Sequence, residues 1–278
     1  MSSGPAALES DVAASLSRNL TQKRRRERLA RAGYPLLAWA SVIGGLLLWE
    51  LVGRLIGNAL FLATPSQTWL ALVHMWRSGE LQNHIWVSGQ EFAYGYVIAC
   101  VAGVAIGLLM ASFRGASAVM GPWVSGLYAT PIIAVAPLVI LWFGIGIWSK
   151  IVVVISVVVF PVIINTEAGI RAADRHLIEA VRSFGASRLQ IFAKVSLPSA
   201  LPFILAGLRL GIGRGLIGVV VGELFGARAG VGFMILQAAE SFNMPKLFAG
   251  VVVLAAAGIG LTAACRALER LLVPWSQP

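Results

Sequence analysis

Residues 200–225 read ALPFILAGLRLGIGRGLIGVVVGELF, with only Arg209, Arg214 and Glu223 ionisable. At about 1.5 Å per residue this run makes a helix of about 39 Å, longer than the ~30 Å hydrocarbon core of a bilayer. Comparable apolar runs lie at 34–57, 85–111, 119–143, 147–165 and 247–268. Together they predict an all-α, polytopic transmembrane chain with six spans. The composition agrees: of 278 residues, 58% are hydrophobic and 12% charged. Soluble domains hold roughly 45–50% and about 25%. A soluble fold this apolar lacks the polar surface to cover itself.

The rest of the chain arranges itself around these runs. Residues 1–33 form a polar tail ending in a basic run, Lys23, Arg24, Arg25, Arg26, Arg28 and Arg31. The next stretch, 34–57, is too long for a signal peptide and reads as a retained first helix. Residues 58–84 are mixed, with Trp69, Leu72, Val73 and Trp76 at helical spacing, and predict an amphipathic segment on the outer, periplasmic surface. Residues 85–271 form the membrane core, with a cytosolic loop at 166–199. A short tail, 272–278, closes the chain. With the N-terminus inside, fifteen Lys and Arg fall on the inner side and five on the outer. The positive-inside rule then gives N-in and C-in. The net charge of +10 is thus a topology signal, with no nucleic-acid partner called for.

Helix-breaking and small residues mark where the spans depart from plain rods. Gly207, Gly211, Gly215, Gly218, Gly222 and Gly226 keep to one helical face, where small residues let backbones approach closely. That face belongs either to a translocation path or seam between subunits, or to packing within the chain. Gly103 and Gly107 repeat the pattern. Pro131 and Pro137 remove backbone donors from the third span, and broken helices in lipid line cavities or lie under protein. The residues proposed for a path are therefore Pro131, Pro137, Arg209, Gly211, Gly215 and Glu223. Arg209 and Arg214 face either an anionic solute or lipid phosphates. Glu223 has three readings: an outer gate, a pair with Arg228, or an interfacial residue. Glu50 and Arg54 predict an i,i+4 pair. Glu91 is expected at the interface, and Lys150 is expected to snorkel outward.

Catalytic and cofactor chemistry find no foothold. None of Lys23, Lys150, Lys194 and Lys246 is followed by Ser or Thr, so no P-loop exists. His74, His84 and His176 read as solvated surface, and Cys100 and Cys265 as packing residues without metal-ligand spacing. The chain is expected to bind no cofactor and no metal and to have no enzyme activity.

The 166–199 loop reads as two short helices. Asp174 caps the first, Gly185 ends it, and Ser187 with Gln190 forms a capping box for the second. Pro198 and Pro202 mark the return to the membrane. Within the loop, EAVRSFGASRLQIFAKVSLP (179–198) resembles the signature loop of ATP-binding-cassette importer permeases: Glu-Ala-Ala, three residues, Gly, nine residues, Ile, one residue, Leu-Pro. Glu179, Ala180, Gly185, Leu197 and Pro198 match, while Val181 and Val195 depart but stay apolar. The stretches 129–146, 160–187 and 201–235 are similar to the nitrate/taurine/aliphatic-sulfonate branch of that class.

The resemblance implies a five-helix permease core behind the first span, in a bacterial inner membrane. It implies a cytosolic ATPase dimer carrying ATP and Mg, a second permease copy, and a periplasmic or lipid-anchored binding protein that delivers the solute. Contact with the ATPase would fall to Asp174, Glu179, Ala180, Val181, Phe184, Gly185, Ala186, Ser187, Leu197 and Pro198. A nitrate-, sulfonate- or taurine-like anion is the expected solute, with vitamin precursors and aromatic carboxylates as alternatives. A gradient-driven transporter, which would carry ionisable groups at mid-membrane and inverted repeats, and a non-transporting scaffold are the competing readings.

Overall fold

The computed structural model describes residues 37–58 and 60–273. The 1–33 tail with its basic run, the start of the 34–57 span and most of the 272–278 tail lie outside the described residues. Two compact units divide the chain, residues 1–66 and 67–278. The first holds helix α1 (Leu37–Ile56). Near its end the Arg54 Nε donates to Glu50 at 2.8 Å, the expected pair. Glu50 also accepts the Ser66 backbone N–H at 3.0 Å and the Ser66 hydroxyl at 2.9 Å, so it ties down the loop after α1 as well.

In the second unit, helices α2 (Pro65–Arg77, which opens at the junction) and α3 (Glu80–Ser112) replace the single surface segment expected over 58–84. Residues 80–84 already belong to α3. Trp69 and Trp76 are exposed on α2, while Met75 joins Leu81, Val231, Met234 and Ala249 in a buried cluster. Thr68 and Met75 are buried while Gln67, His74 and Arg77 are exposed, so α2 has a polar side as well as a packed one.

The third expected span is two helices, α4 (Arg114–Ala129) and α5 (Ile132–Phe143), bent by 102° at Thr130 and Pro131. A residue before proline is pushed towards extended backbone, and Thr130 has ψ 125°. Its hydroxyl donates to the Gly126 carbonyl at 3.0 Å, satisfying an acceptor that the break leaves open. Pro122 and Pro137 sit inside α4 and α5 without ending them, so of the two prolines expected to disturb this span only Pro131 separates two helices.

Helix α6 (Ile147–Arg171) packs along both α3 and α9 (Leu197–Gly226). Ala99, Val154, Val158, Val162 and Val219 form the cluster at their common seam. Both glycine rows lie on this seam except Gly226, which faces Ile140 of α5. A Cβ at Gly103 would come within 2.8 Å of the Val162 Cβ and 3.0 Å of the Val159 carbonyl, and one at Gly218 within 3.2 Å of the Val154 Cα. The row on α9 therefore serves packing within the chain. Helix α6 runs to Arg171, beyond the expected 165, and α9 begins before 200, so the loop between them is shorter than 166–199.

After α9 come α10 (Val231–Glu240) and α11 (Met244–Leu272). The first N–H groups of a helix have no partner within it. At α10 they are met by side chains from elsewhere. Gly230 N donates to the His84 Nδ1 at 3.0 Å and Val231 N to the Ser88 Oγ at 2.8 Å. Gly232 N donates to the Glu223 Oε2 at 2.5 Å, Phe233 N to the same oxygen at 3.4 Å, and the Ser88 hydroxyl to the Glu223 Oε1. Glu223 is 0% exposed and does not pair with Arg228. Beside it Glu91, 1% exposed, faces Lys150 at 3.6 Å. Glu91 is therefore not exposed at the interface, Lys150 does not snorkel, and His84 is not surface: His84 is engaged by the start of α10, and Lys150 lies between Glu91 of α3 and Gly222 of α9. Gly230 has φ +127°, and a Cβ there would overlap the Glu223 carboxylate.

Two outcomes follow for stability. Gly103→Leu overpacks the α3–α6 seam and costs about 1–3 kcal/mol, whereas Gly115→Ala, with open space around it, leaves the melting temperature of the purified protein unchanged. Glu223→Ala strands two buried N–H groups, at about 1–3 kcal/mol for each buried group left unpaired. Hydrogen exchange should then speed up at Gly232 and Phe233 well before it does along α6.

Candidate functional site

Two places combine exposure with chemistry. The first is the connection between α6 and α9. Helix α7 (Arg175–Ser183) has no buried residue, and α8 (Arg188–Ile191) follows it. Local chemistry sets both. The Asp174 side chain accepts the His176 N–H at 2.8 Å. Gly185, at φ +80°, turns the chain, and its N–H donates to the Arg182 carbonyl at 2.9 Å. Ser187 and Gln190 bond reciprocally in the expected capping box. Phe184 is 92% exposed beside this turn, and Leu177 and Leu189 are exposed on its flanks. Glu179 and Ala180 are exposed, while Val181 and Ala186 are half-buried behind them. Leu177 and Leu189 were missed in the sequence; their signal was an apolar side chain amid charged neighbours.

Leu197 and Pro198 do not end a helix. Phe192–Ser196 is a π turn, and the Leu197 N–H reaches back to the Phe192 carbonyl. A proline inside a helix has no N–H for the carbonyl four residues earlier. The wider turn just ahead of Pro198 absorbs that mismatch, so Arg188–Gly226 runs as one 39-residue helix.

The second place is a cavity of about 550 Å³ at the α4–α5 break. Leu127, Tyr128, Thr130, Pro131, Ile132 and Ile133 form its wall from the break, Ser156 and Phe160 from α6, and Arg214 and Ile217 from α9. The Arg214 guanidinium lies over the Tyr128 ring, 5.3 Å from its centroid, and donates to the Tyr128 hydroxyl at 3.2 Å. Arg214 is the one charged residue among the lining residues. A larger recess of about 810 Å³ between α3, α9 and α11 has no charged residue in its lining.

Of the residues expected on a path, the cavity gathers only Pro131. Pro137 lies inside α5, away from the lining. Arg209 is held by Glu269 at 3.0 Å. Gly211 and Gly215 are buried against Val158, Tyr96 and Phe92. Glu223 caps α10. Arg214 and Tyr128 line the cavity instead. The buried ionisable groups that a gradient-driven transporter would need do exist in Glu91, Lys150 and Glu223, but capping and ion pairing within the fold engage each of them.

Comparison with known proteins follows this geometry. Residues 103–276 match the family model of the binding-protein-dependent transport system inner membrane component. The chain is 38% identical over 229 residues to SsuC of Bacillus subtilis (strain 168), a permease assigned to aliphatic sulfonates transport, covering 82% of this chain and 83% of that one. It is 32% identical over 230 residues to ThiX, the formylaminopyrimidine transport permease of Halalkalibacterium halodurans, covering 83% and 92%. The fold is similar to a chain of the inward-facing MetNI methionine transporter, with a TM-score of 0.59 at 22% identity, over 71% of this chain and 97% of that one. An exposed, doubly capped connector, a broken span beside a cavity and a family model matched across most of the helical core converge on one assignment. The chain belongs to the binding-protein-dependent transport system inner membrane components, the multi-pass permease subunits of bacterial ATP-binding-cassette importers.

Proposed function

We propose that this permease carries a small anion of the sulfonate, taurine or nitrate kind inward, and that two copies of the chain enclose the path. The α7–α8 connector is the contact with the ATPase. ATP and Mg sit on that partner, and this chain binds neither. N-in and C-in topology places the connector in the cytosol, while a binding protein delivers the solute from the other side.

The observation that carries this reading is the connector itself. A short helix with no buried residue, capped at Asp174 and turned at Gly185, holds Phe184 out from the protein. An exposed phenylalanine between two fixed helix ends is ordered without being covered, which suits insertion into a groove of a partner. For the solute, the name of SsuC points to sulfonates and that of ThiX to a heterocycle. Arg214 in the cavity lining favours the anion.

Co-purification of the tagged chain with its ATPase tests the connector. Phe184→Asp and Glu179→Arg should each lower recovery of the ATPase about tenfold, the scale of one lost interface anchor of about 1.4 kcal/mol, with membrane insertion unchanged. Full recovery with both variants would remove the connector from the interface. Reconstituted alone, the permease should hydrolyse no ATP.

A further inference from the structure

Arg214 is the eighteenth of the thirty residues of α9, about the middle of a spanning helix. An ionised side chain there is costly unless it has a partner or a task. Lys150 and Arg209, the other cations of the helical core, each face a carboxylate, Glu91 and Glu269. Arg266 and Arg270 lie in the last two turns of α11, near its end. Arg214 has no carboxylate partner among the described residues. The Tyr128 hydroxyl takes one of its five N–H donors. The rest of the guanidinium is left to what enters the cavity.

The rest of the lining narrows what that is. Thr130 and Ser156 already donate their hydroxyls to the Gly126 and Val152 carbonyls. Leu127, Ile133, Phe160 and Ile217 are apolar. No acidic group lines the cavity to receive an ammonium.

We infer that Arg214, braced by Tyr128, selects the solute: it takes the head of an organic anion, a sulfonate or carboxylate, whose apolar body lies along Leu127, Ile133, Phe160 and Ile217. Two N–H donors of a guanidinium match two oxygens of such a head, a geometry that a single ammonium does not offer. Bare nitrate fills none of the apolar wall. Taurine brings an ammonium that finds no acid. Both are weaker cargoes than an alkyl-tailed anion. The inference rests on the importer reading and goes further, by fixing the head-group site and ranking the solutes.

The test uses the permease–ATPase complex in nanodiscs, without the binding protein, so that only the permease selects. Co-purification of the ATPase comes first; its failure would sink the importer reading and leave the cavity out of account. On the assembled complex, 1-butanesulfonate, taurine and neutral butanamide are titrated at millimolar concentration and binding is followed by proton saturation-transfer NMR, while proton-free nitrate is tested by its ability to displace butanesulfonate. Butanesulfonate should bind best. Arg214→Gln should weaken it about 10–100-fold, the scale of one lost hydrogen-bonded charge. Arg214→Lys should recover part of that loss, and Tyr128→Phe, which keeps the ring, should bind to within a few-fold of the parent. Equal binding of butanesulfonate by Arg214→Gln overturns the inference. So does binding of butanamide as tight as that of the sulfonate, or no binding of butanesulfonate by the parent complex.

Discussion

In hydrocarbon no water is at hand to satisfy a polar group, so every donor and charge must find its partner inside the protein. Much of this permease follows from that constraint. Helix α10 cannot extend the preceding span, because the chain turns at Gly230, and its first N–H groups would be stranded. Glu223, Ser88 and His84 supply the acceptors and in doing so join α3, α9 and α10 into one block. The break at Pro131 is bearable because the Thr130 hydroxyl takes the Gly126 carbonyl. Lys150 and Arg209 face Glu91 and Glu269. Against that background a lone arginine on a cavity wall stands out.

What could be read from the sequence depended on how far apart the interacting residues lie. The caps at Asp174 and Ser187 join residues two or three apart, so spacing alone revealed them. The Glu50–Arg54 pair is four apart and was equally legible. The spans themselves were visible as apolar length, though their ends shifted by several residues because lipid-facing and loop residues grade into one another. The α10 cap joins Ser88 to Glu223 and His84 to Gly230 across more than a hundred residues. No local pattern encodes such a meeting, so spacing alone puts Glu91, Lys150 and His84 at the surface and leaves Glu223 open between a gate, a pair with Arg228 and an interfacial place.

The glycine row on α9 shows a different limit. Its spacing revealed a face for close approach but not the neighbours, which proved to be α6, with α3 beside Gly211 and Gly215 and α5 at Gly226, all of the same chain. Proline was ambiguous in the same way. Four helices hold an internal proline without breaking. Pro131 breaks its span where Thr130 can take over a carbonyl.

The uninterrupted helix from Arg188 to Gly226 has a mechanical meaning. It is about 58 Å long at 1.5 Å per residue. One end carries Leu189, exposed among the residues of the connector, and the same rod carries Arg214 at the cavity. On the proposed reading, force applied at the connector need not pass through side-chain contacts to arrive at the cavity. It travels along a single shaft, in which the π turn at Phe192–Ser196 and Pro202 are the places where the regular hydrogen bonding gives way. The leverage between the short arm and the long one is then set by how near the connector those two places lie.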